Sequence, residues 1–212
     1  MGRQPTGTKQ KILDAACQLF AEKGYREVTV QEVCRKADAN IASINYYFGA
    51  KENLYVDVWE CAFRITREKY FKDVMLCPEP EERLTAYVKA RIATVLDEGS
   101  AGWLPRIIHN EMSSPSAVSC RGRLLQFLED NLSQMYKLTK DFLGEAATDL
   151  QIRLALNSFH SQCIHLNALN ARKLGLFADG KQTEKAKIKA EMIELIMGGL
   201  KGYRSRIERG ES

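Results

Sequence analysis

Apolar residues recur at helical spacing along almost the whole chain, and this feature constrains the fold more than any other. In the first segment, positions i, i+4, i+7 and i+8 of one helical face are occupied by Ile12, Ala16, Leu19 and Phe20. The same kind of spacing recurs in segments that begin near Leu54, Leu84, Leu124, Phe159 and Ile188. No segment convincingly alternates apolar and polar residues as a strand does. The sequence therefore predicts an all-α fold of about nine helices.

The composition is that of an ordinary globular chain of 212 residues, which is long enough to bury a substantial core. Its six cysteines are scattered through helix-like segments without a Cys-x-x-Cys pair, which is typical of reduced cytosolic thiols. No stretch approaches the ~20 apolar residues of a membrane-spanning helix. We therefore expect a cytoplasmic location and no membrane partner. The net charge of +4 allows an acidic partner but does not demonstrate one.

Two short helices are predicted between residues 29 and 48. Thr29 stands three residues before Glu32, which is the pattern of a capping box and predicts a helix that begins at Val30. Asn40 is a good N-cap for the next helix. Two short helices joined by a tight turn form a helix-turn-helix. Because many small helical domains contain such a corner, this spacing alone leaves DNA binding and a purely structural role equally open.

The second of these helices has two contrasting faces. At about 100° per residue, one face carries the apolar and aromatic residues Ile44, Tyr47 and Phe48. The other face carries small and hydrogen-bonding residues, namely Ala42, Ser43, Asn45 and Tyr46. A face built only for solubility more often carries Lys and Glu. Side chains of the observed types can bond to base edges and phosphates, so this face is a candidate nucleic-acid surface.

Lys51 opens the following helix at its positive end, where a cation is unfavourable by ~0.3–1 kcal/mol. A phosphate bound at the same helix end would remove that disadvantage. A surface lysine that is merely tolerated there is the alternative interpretation.

The segment from Lys9 to Tyr55 resembles the DNA-binding domain of TetR-family transcriptional regulators. The matching positions lie in the first helix, in the second helix and its turn, and in the third helix with its exit: Ile12, Leu13, Ala15, Ala16, Leu19, Phe20, Gly24, Thr29, Ala37, Ile44, Tyr47, Phe48, Lys51, Glu52 and Leu54. Three positions depart from the family pattern. Asp38 replaces the glycine of the turn, Asn45 replaces an aromatic residue, and Ala50 replaces the serine cap of the fourth helix.

The resemblance implies a homodimeric, ligand-responsive repressor that places its third helix in the major groove of a palindromic double-stranded DNA operator. It implies a DNA-binding domain over residues 1–50 and an effector-binding and dimerisation domain over residues 51–212. By analogy, Thr29 contacts a phosphate and Lys51 binds the DNA backbone. The residues that face the DNA are then Ala42, Ser43, Asn45 and Tyr46.

The resemblance to the family weakens after about residue 60, but the segment from Trp103 to Ser116 resembles a short-helix element of the subgroup related to the CecR regulator. The resemblance implies that an unidentified small molecule binds among the middle helices and that the last two helices, expected over 149–174 and 184–207, form the dimer interface. Polar residues within apolar helices are the effector candidates: Trp103, Arg106, His109, Glu111, Tyr136, His160 and Cys163. Apolar residues of the last two helices are the interface candidates: Phe159, Cys163, Met192, Leu195, Ile196 and Leu200. One sequence does not separate an interface from the core of the chain itself.

Other functions have weaker support. The chain has no G-x-S-x-G, H-E-x-x-H, P-loop or Rossmann motif, so we expect no enzyme activity and no cofactor. Histidines and cysteines without a cluster of three or four ligands do not predict a metal site. A helical dimeric adaptor, or a metal or redox sensor without a small-molecule effector, remains the alternative. Residues 1–54 carry only eight basic against six acidic side chains, which keeps the adaptor open.

Overall fold

The computed structural model describes residues 7–118, 122–166 and 182–211, and these residues form nine α-helices without a strand. The helices are α1 (Gly7–Lys23), α2 (Val30–Ala37), α3 (Ile41–Phe48), α4 (Lys51–Thr66), α5 (Pro80–Val95), α6 (Trp103–Ser113), α7 (Gly122–Leu143), α8 (Asp149–His165) and α9 (Gln182–Glu208). A π-helical turn at Arg67–Phe71 and short 3-10 turns at Val74–Leu76 and Ser100–Gly102 lie between them. The all-α prediction is confirmed. The predicted end of the eighth helix at residue 174 lies outside the described residues.

The predicted helix ends follow from local chemistry. Gly24 terminates α1 at φ 80°, a conformation that L side chains rarely adopt, and its N–H donates to the carbonyl of Phe20 at 2.9 Å. α8 starts with a second capping box, in which Thr148 accepts from the N–H of Gln151 and the Gln151 side chain accepts from Thr148. Ala50 stands at the N-cap of α4 in extended backbone geometry and offers no side-chain acceptor.

The described residues divide into two compact units. The first unit comprises the described parts of Met1–Arg67 and Glu98–Leu128, and it contains α1–α4, α6 and the start of α7. In it, α1 packs against α2, α3, α4 and α6. The largest fully buried side chains of its core are Ile12, Phe20, Ile44, Leu54, Tyr55, Ile107 and Leu124.

The second unit comprises the described parts of Glu68–Asp97 and Glu129–Ser212. In it, α5 packs against both α8 and α9. Its core is apolar and includes Leu84, Val88, Ile92, Phe142, Leu143, Phe159, Cys163, Ile196 and Leu200. These compact units do not coincide with the predicted functional domains, since α4 and α6 belong to the same unit as α1–α3. The predicted functional boundary after residue 50 stays a prediction.

No helix within the described ranges is long and apolar enough to cross a membrane. Five cysteines in these ranges carry free thiols: Cys17, Cys34, Cys61, Cys77 and Cys163. Cys120 lies outside the described residues.

The uncapped start of α4 gives a stability prediction. Ala50→Ser places a hydroxyl where it can accept the N–H of Glu52 or Asn53, so we expect the free energy of unfolding to rise by about 0.5–1 kcal/mol. Urea unfolding measures this change. Ala186→Ser, in the exposed interior of α9, is the matched control and should lower the free energy of unfolding by a few tenths of a kcal/mol (~0.5 at most). An equal decrease in the free energy of unfolding of both variants would contradict the capping explanation.

Candidate DNA-binding surface and effector residues

The start of α2 is fixed by the predicted capping box. The hydroxyl of Thr29 accepts from the backbone N–H of Glu32 at 3.2 Å, and the Glu32 carboxylate accepts from the backbone N–H of Thr29 at 2.9 Å. Lys23 also donates to Glu32 at 2.8 Å. Hydrogen bonds from Lys23 and from the Thr29 backbone lower the pKa of Glu32 to about 2, so this carboxylate stays charged. Thr29 itself is exposed, and its predicted phosphate contact stays a prediction.

The turn between α2 and α3 is built on Asp38. This residue has φ 50° and ψ 53°, and among the described non-glycine residues it alone has a positive φ. Its N–H donates to the carbonyl of Cys34, as does the N–H of Ala39 at 3.0 Å. Aspartate is one of the few residues that tolerate this left-handed conformation. The chain therefore makes the turn at Asp38 without the glycine that is usual in the TetR family.

The faces of α3 lie as the sequence predicts. Asn40 caps the helix by accepting from the N–H of Ser43 at 2.8 Å. Ile44 and Phe48 are buried at 1% and 5% exposure. On the opposite side Tyr46 is 81% exposed. The residues of the candidate surface therefore lie together on α3, where Ala42 and Asn45 are exposed and Ser43 is half-buried.

Lys51 lies against an aromatic ring at the start of α4. Its Nζ is 4.2 Å from the ring centroid of Tyr25, whose hydroxyl donates to Glu52 at 3.1 Å. Burial lowers the pKa of the Lys51 ammonium, and burial together with the Glu52 hydrogen bond raises the pKa of Tyr25 to about 12. Helical spacing could not predict this partner, because Tyr25 lies in the loop between α1 and α2.

Helix α6 is joined to α1 and α4 by polar contacts that sequence reasoning missed. The Asn110 amide donates to the carbonyls of Phe20 and Ala21, in the last turn of α1, at 3.2 and 3.1 Å. The Glu111 carboxylate accepts from the Tyr55 hydroxyl at 2.9 Å and from both the N–H and the hydroxyl of Ser116. These contacts make Glu111 part of the polar packing of the first unit, and its role as an effector ligand stays a prediction.

The seven effector candidates fall in different units. Trp103, Arg106, His109 and Glu111 all lie on α6 in the first unit. Trp103 packs against the core there, and Arg106 donates to the carbonyl of Gly99 at 3.1 Å. Tyr136, His160 and Cys163 lie in the second unit. Tyr136 donates to Asp149 at 2.8 Å.

His160 lies beside a buried arginine that the sequence analysis did not single out. Nδ1 of His160 is 3.4 Å from a terminal nitrogen of Arg91, which is only 6% exposed. Burial is the main cause that lowers the pKa of His160 to about 3, and the positive charge of Arg91 is the second cause. The imidazole is therefore neutral at pH 7. Arg91 follows Leu84 and Val88 at helical spacing on the buried face of α5, and that spacing is the signal that could have found it.

The predicted interface residues are mostly part of the core of the second unit. Phe159, Cys163, Ile196 and Leu200 are at most 6% exposed, so little of their surface is left for a partner. Met192 is half-buried, whereas Leu195 is 67% exposed. No group of three or more metal-binding side chains converges within the described ranges.

Two family models match the chain. Residues 12–58 match the N-terminal domain of bacterial regulatory proteins of the TetR family. Residues 80–202, more than half of the chain, match the C-terminal domain of the HTH-type transcriptional dual regulator CecR. The chain belongs to the TetR family of bacterial transcriptional regulators. Its second half is of the CecR type, so both parts of the resemblance seen in the sequence are confirmed.

Individual TetR-family proteins are similar over different lengths. The probable HTH-type transcriptional regulator YttP of Bacillus subtilis is 45% identical over 47 residues, which are 22% of this chain and 23% of YttP. The chain spans less than half of the length of the first curated relatives that it matches.

Two solved structures show the same fold across nearly the whole chain. The regulator FadR of Bacillus subtilis in complex with stearoyl-CoA has a TM-score of 0.66 and 19% identity, over 90% of this chain and 98% of FadR. AibR in complex with isovaleryl coenzyme A and operator DNA has a TM-score of 0.66 and 18% identity, over 89% and 97%.

The lowered pKa of His160 gives a pH prediction. Between about pH 3 and pH 6.5 the unfolded chain binds a proton at this residue that the folded chain does not, so stability falls as the pH decreases through that window. This contribution is at most about 1.4 kcal/mol per pH unit. His160→Gln removes it, so the free energy of unfolding of the variant should depend less steeply on pH between 7 and 5. Urea unfolding at several pH values measures the free energy of unfolding of the parent protein and of His160→Gln. If the two proteins show the same dependence on pH, His160 is not held neutral in the folded chain.

Proposed function

We propose that this TetR-family protein is a repressor that binds a palindromic operator as a homodimer and is released by a small-molecule effector. The observation that carries the DNA-binding part is the exposed face of α3. Tyr46 is 81% exposed beside the exposed residues Ala42 and Asn45, while Ile44 and Phe48 fix the opposite face in the core. A short helix that is held rigidly and presents uncharged hydrogen-bonding side chains suits a major groove.

In this proposal the residues of the surface have different roles. Asn45 and Tyr46 approach base edges, and Ala42 permits close approach of the helix backbone to the groove. Thr29 and Lys51 lie at the starts of α2 and α4, where backbone N–H groups and the helix dipole favour a phosphate. These contacts fix the orientation of the protein on the duplex and do not read sequence.

The dimer is proposed to form through α8 and α9. Leu150 and Leu154 on α8 and Leu195 on α9 are 66%, 54% and 67% exposed, so both helices present large apolar side chains to solvent. Burial of such side chains against a second copy is favourable, and a two-fold dimer presents two α3 helices to the two halves of a palindrome.

The effector part is supported by similarity to ligand-bound regulators. The structure of AibR contains both a coenzyme A thioester and operator DNA, and that of FadR contains stearoyl-CoA. A ligand that binds one conformation better than the other shifts the population towards it, and operator affinity falls if that conformation fits the half-sites poorly. The protein is accordingly proposed to be a cytoplasmic regulator without enzyme activity.

Selection of binding sites from random duplex DNA with the full-length protein tests this proposal. We expect a palindromic sequence to be enriched and a complex of two chains per duplex to form. Failure to enrich any sequence would favour the alternative, a helical adaptor that does not bind DNA.

Tyr46 should carry a large share of sequence-specific affinity. Tyr46→Ala removes the most exposed side chain of the α3 surface, so we expect the selected operator to bind about tenfold more weakly, the effect of losing one good base contact (~1.4 kcal/mol). Gel-shift titration measures this change, and size-exclusion chromatography checks that the oligomeric state is kept. Tyr46→Phe separates the hydroxyl from the ring. Unchanged affinity of Tyr46→Ala would remove α3 from the proposed interface.

Lys51 should contribute without regard to sequence. Lys51→Ala is expected to weaken operator and random duplexes alike and to reduce the slope of log affinity against log salt by about 1, because one phosphate contact is lost. Fluorescence anisotropy at several salt concentrations measures this slope. Lys89→Ala removes the same charge from an exposed position on α5 and should leave the slope unchanged. If both variants retain the slope of the parent protein, Lys51 does not meet a phosphate.

A further inference from the structure

Arg91 is a buried cation without an acidic partner among the described residues. It is 6% exposed on α5, and its Nε is shielded from solvent without a hydrogen bond. A terminal nitrogen of its guanidinium lies 3.4 Å from Nδ1 of His160. Arginine keeps its charge under all ordinary conditions, and a charge removed from water is costly unless a counter-charge compensates it.

The groups that surround this guanidinium are neutral. His160 lies on α8, where burial and the charge of Arg91 hold the pKa of its imidazole at about 3. Cys163 follows one turn later, and burial raises the pKa of its thiol to about 11. Tyr87 precedes Arg91 by one turn of α5, and burial raises the pKa of its phenol. None of the three supplies the negative charge that the guanidinium lacks.

Aromatic side chains cluster around Tyr87, which lies one turn before Arg91 on α5. The rings of Phe71 and Tyr87 lie 5.3 Å apart, and those of Tyr87 and Phe159 lie 6.3 Å apart. Ile92 is fully buried next to Arg91 on α5. A molecule that places a negative group at Arg91 would therefore contact aromatic and aliphatic side chains with the rest of its surface.

We infer that Arg91 binds the carboxylate or phosphate group of an organic anion with an apolar body, and that this anion is the effector. The planar guanidinium can meet either group with two parallel hydrogen bonds, one of them from the unpaired Nε. In this site His160, Tyr87 and Cys163 lie near the charged group, and the rings of Phe71 and Phe159 that flank Tyr87 offer apolar surface to the rest of the anion. The regulatory role of this anion rests on the proposed function, whereas the binding of an anion at Arg91 does not.

The probes for this site are octanoate, octyl phosphate, octanol and octylammonium, titrated into the full-length protein. Isothermal titration and the shift of the melting temperature report binding. At least one of the two anions should bind about tenfold or more tightly than octanol, and octylammonium should not bind, because the charge-assisted hydrogen bond supplies that difference. The comparison of octanoate with octyl phosphate identifies which acidic group the site prefers.

Substitutions assign the effect to Arg91. Arg91→Met should reduce the affinity for the preferred anion to that for octanol, and Arg91→Lys should retain part of it, because a point charge replaces the planar fork. The ligand-free Arg91→Met protein should melt at the same temperature as the parent protein or higher, since an unpaired buried charge is removed. Lys89→Met removes a charge from an exposed position of the same helix and should change neither quantity.

Two results would overturn the inference: no preference for either anion over octanol, or full anion affinity in Arg91→Met. The proposed function is judged separately with the selected operator. If operator DNA binds but neither anion binds, the anion site fails and DNA binding stands. If an anion binds through Arg91 while no duplex is ever selected, the site stands and the proposed function fails. Release of the operator by the preferred anion, lost in Arg91→Met, is the result that supports both.

Discussion

Burial of α1 against α2, α3, α4 and α6 is the constraint on which the first unit depends. Helices of eight residues, such as α2 and α3, are too short to be stable by themselves in water. They are stable in this protein because Val33 of α2 and Ile44 of α3 pack in the same core as Ile12 and Phe20 of α1. The exposed face of α3 is consequently determined by its buried face. A side chain such as Tyr46 can be aimed at a groove only because its neighbours in the sequence are fixed in the core.

Polar contacts then set the position of α6 relative to α1 and α4. Asn110 completes the end of α1 by donating to two of its last carbonyls, and Glu111 accepts from Tyr55 in the middle of α4. Both side chains are half-buried, and polar groups that lose water are costly to leave unpaired. A displacement of α6 must therefore break several hydrogen bonds at once or move α1 and α4 with it. A movement of α6 that keeps these hydrogen bonds therefore moves α1 and α4 with it.

Local features could be predicted from the sequence, whereas contacts between distant residues could not. The caps at Thr29 and Asn40 and the faces of α3 depend on residues within four positions, so helical geometry was sufficient to find them. The Tyr55–Glu111 hydrogen bond joins residues 56 positions apart, and the Arg91–His160 contact joins residues 69 positions apart. Helical spacing puts Arg91 on the apolar face of α5, a signal that the sequence analysis did not use, and only the packing of α8 decides whether such a side chain reaches water or stays covered.

Lys51 and Arg91 show two ways in which this chain treats a cation that has lost water. Lys51 is only half-buried and is covered by the ring of Tyr25 beside the carboxylate of Glu52, so its charge is compensated locally. Arg91 is more deeply buried, faces a neutral imidazole, and cannot lower its cost by losing a proton. An anion that reaches Arg91 therefore gains its own hydrogen bonds and also offsets a cost that the ligand-free protein already bears. The proposed anion therefore binds more tightly than its own hydrogen bonds alone would allow.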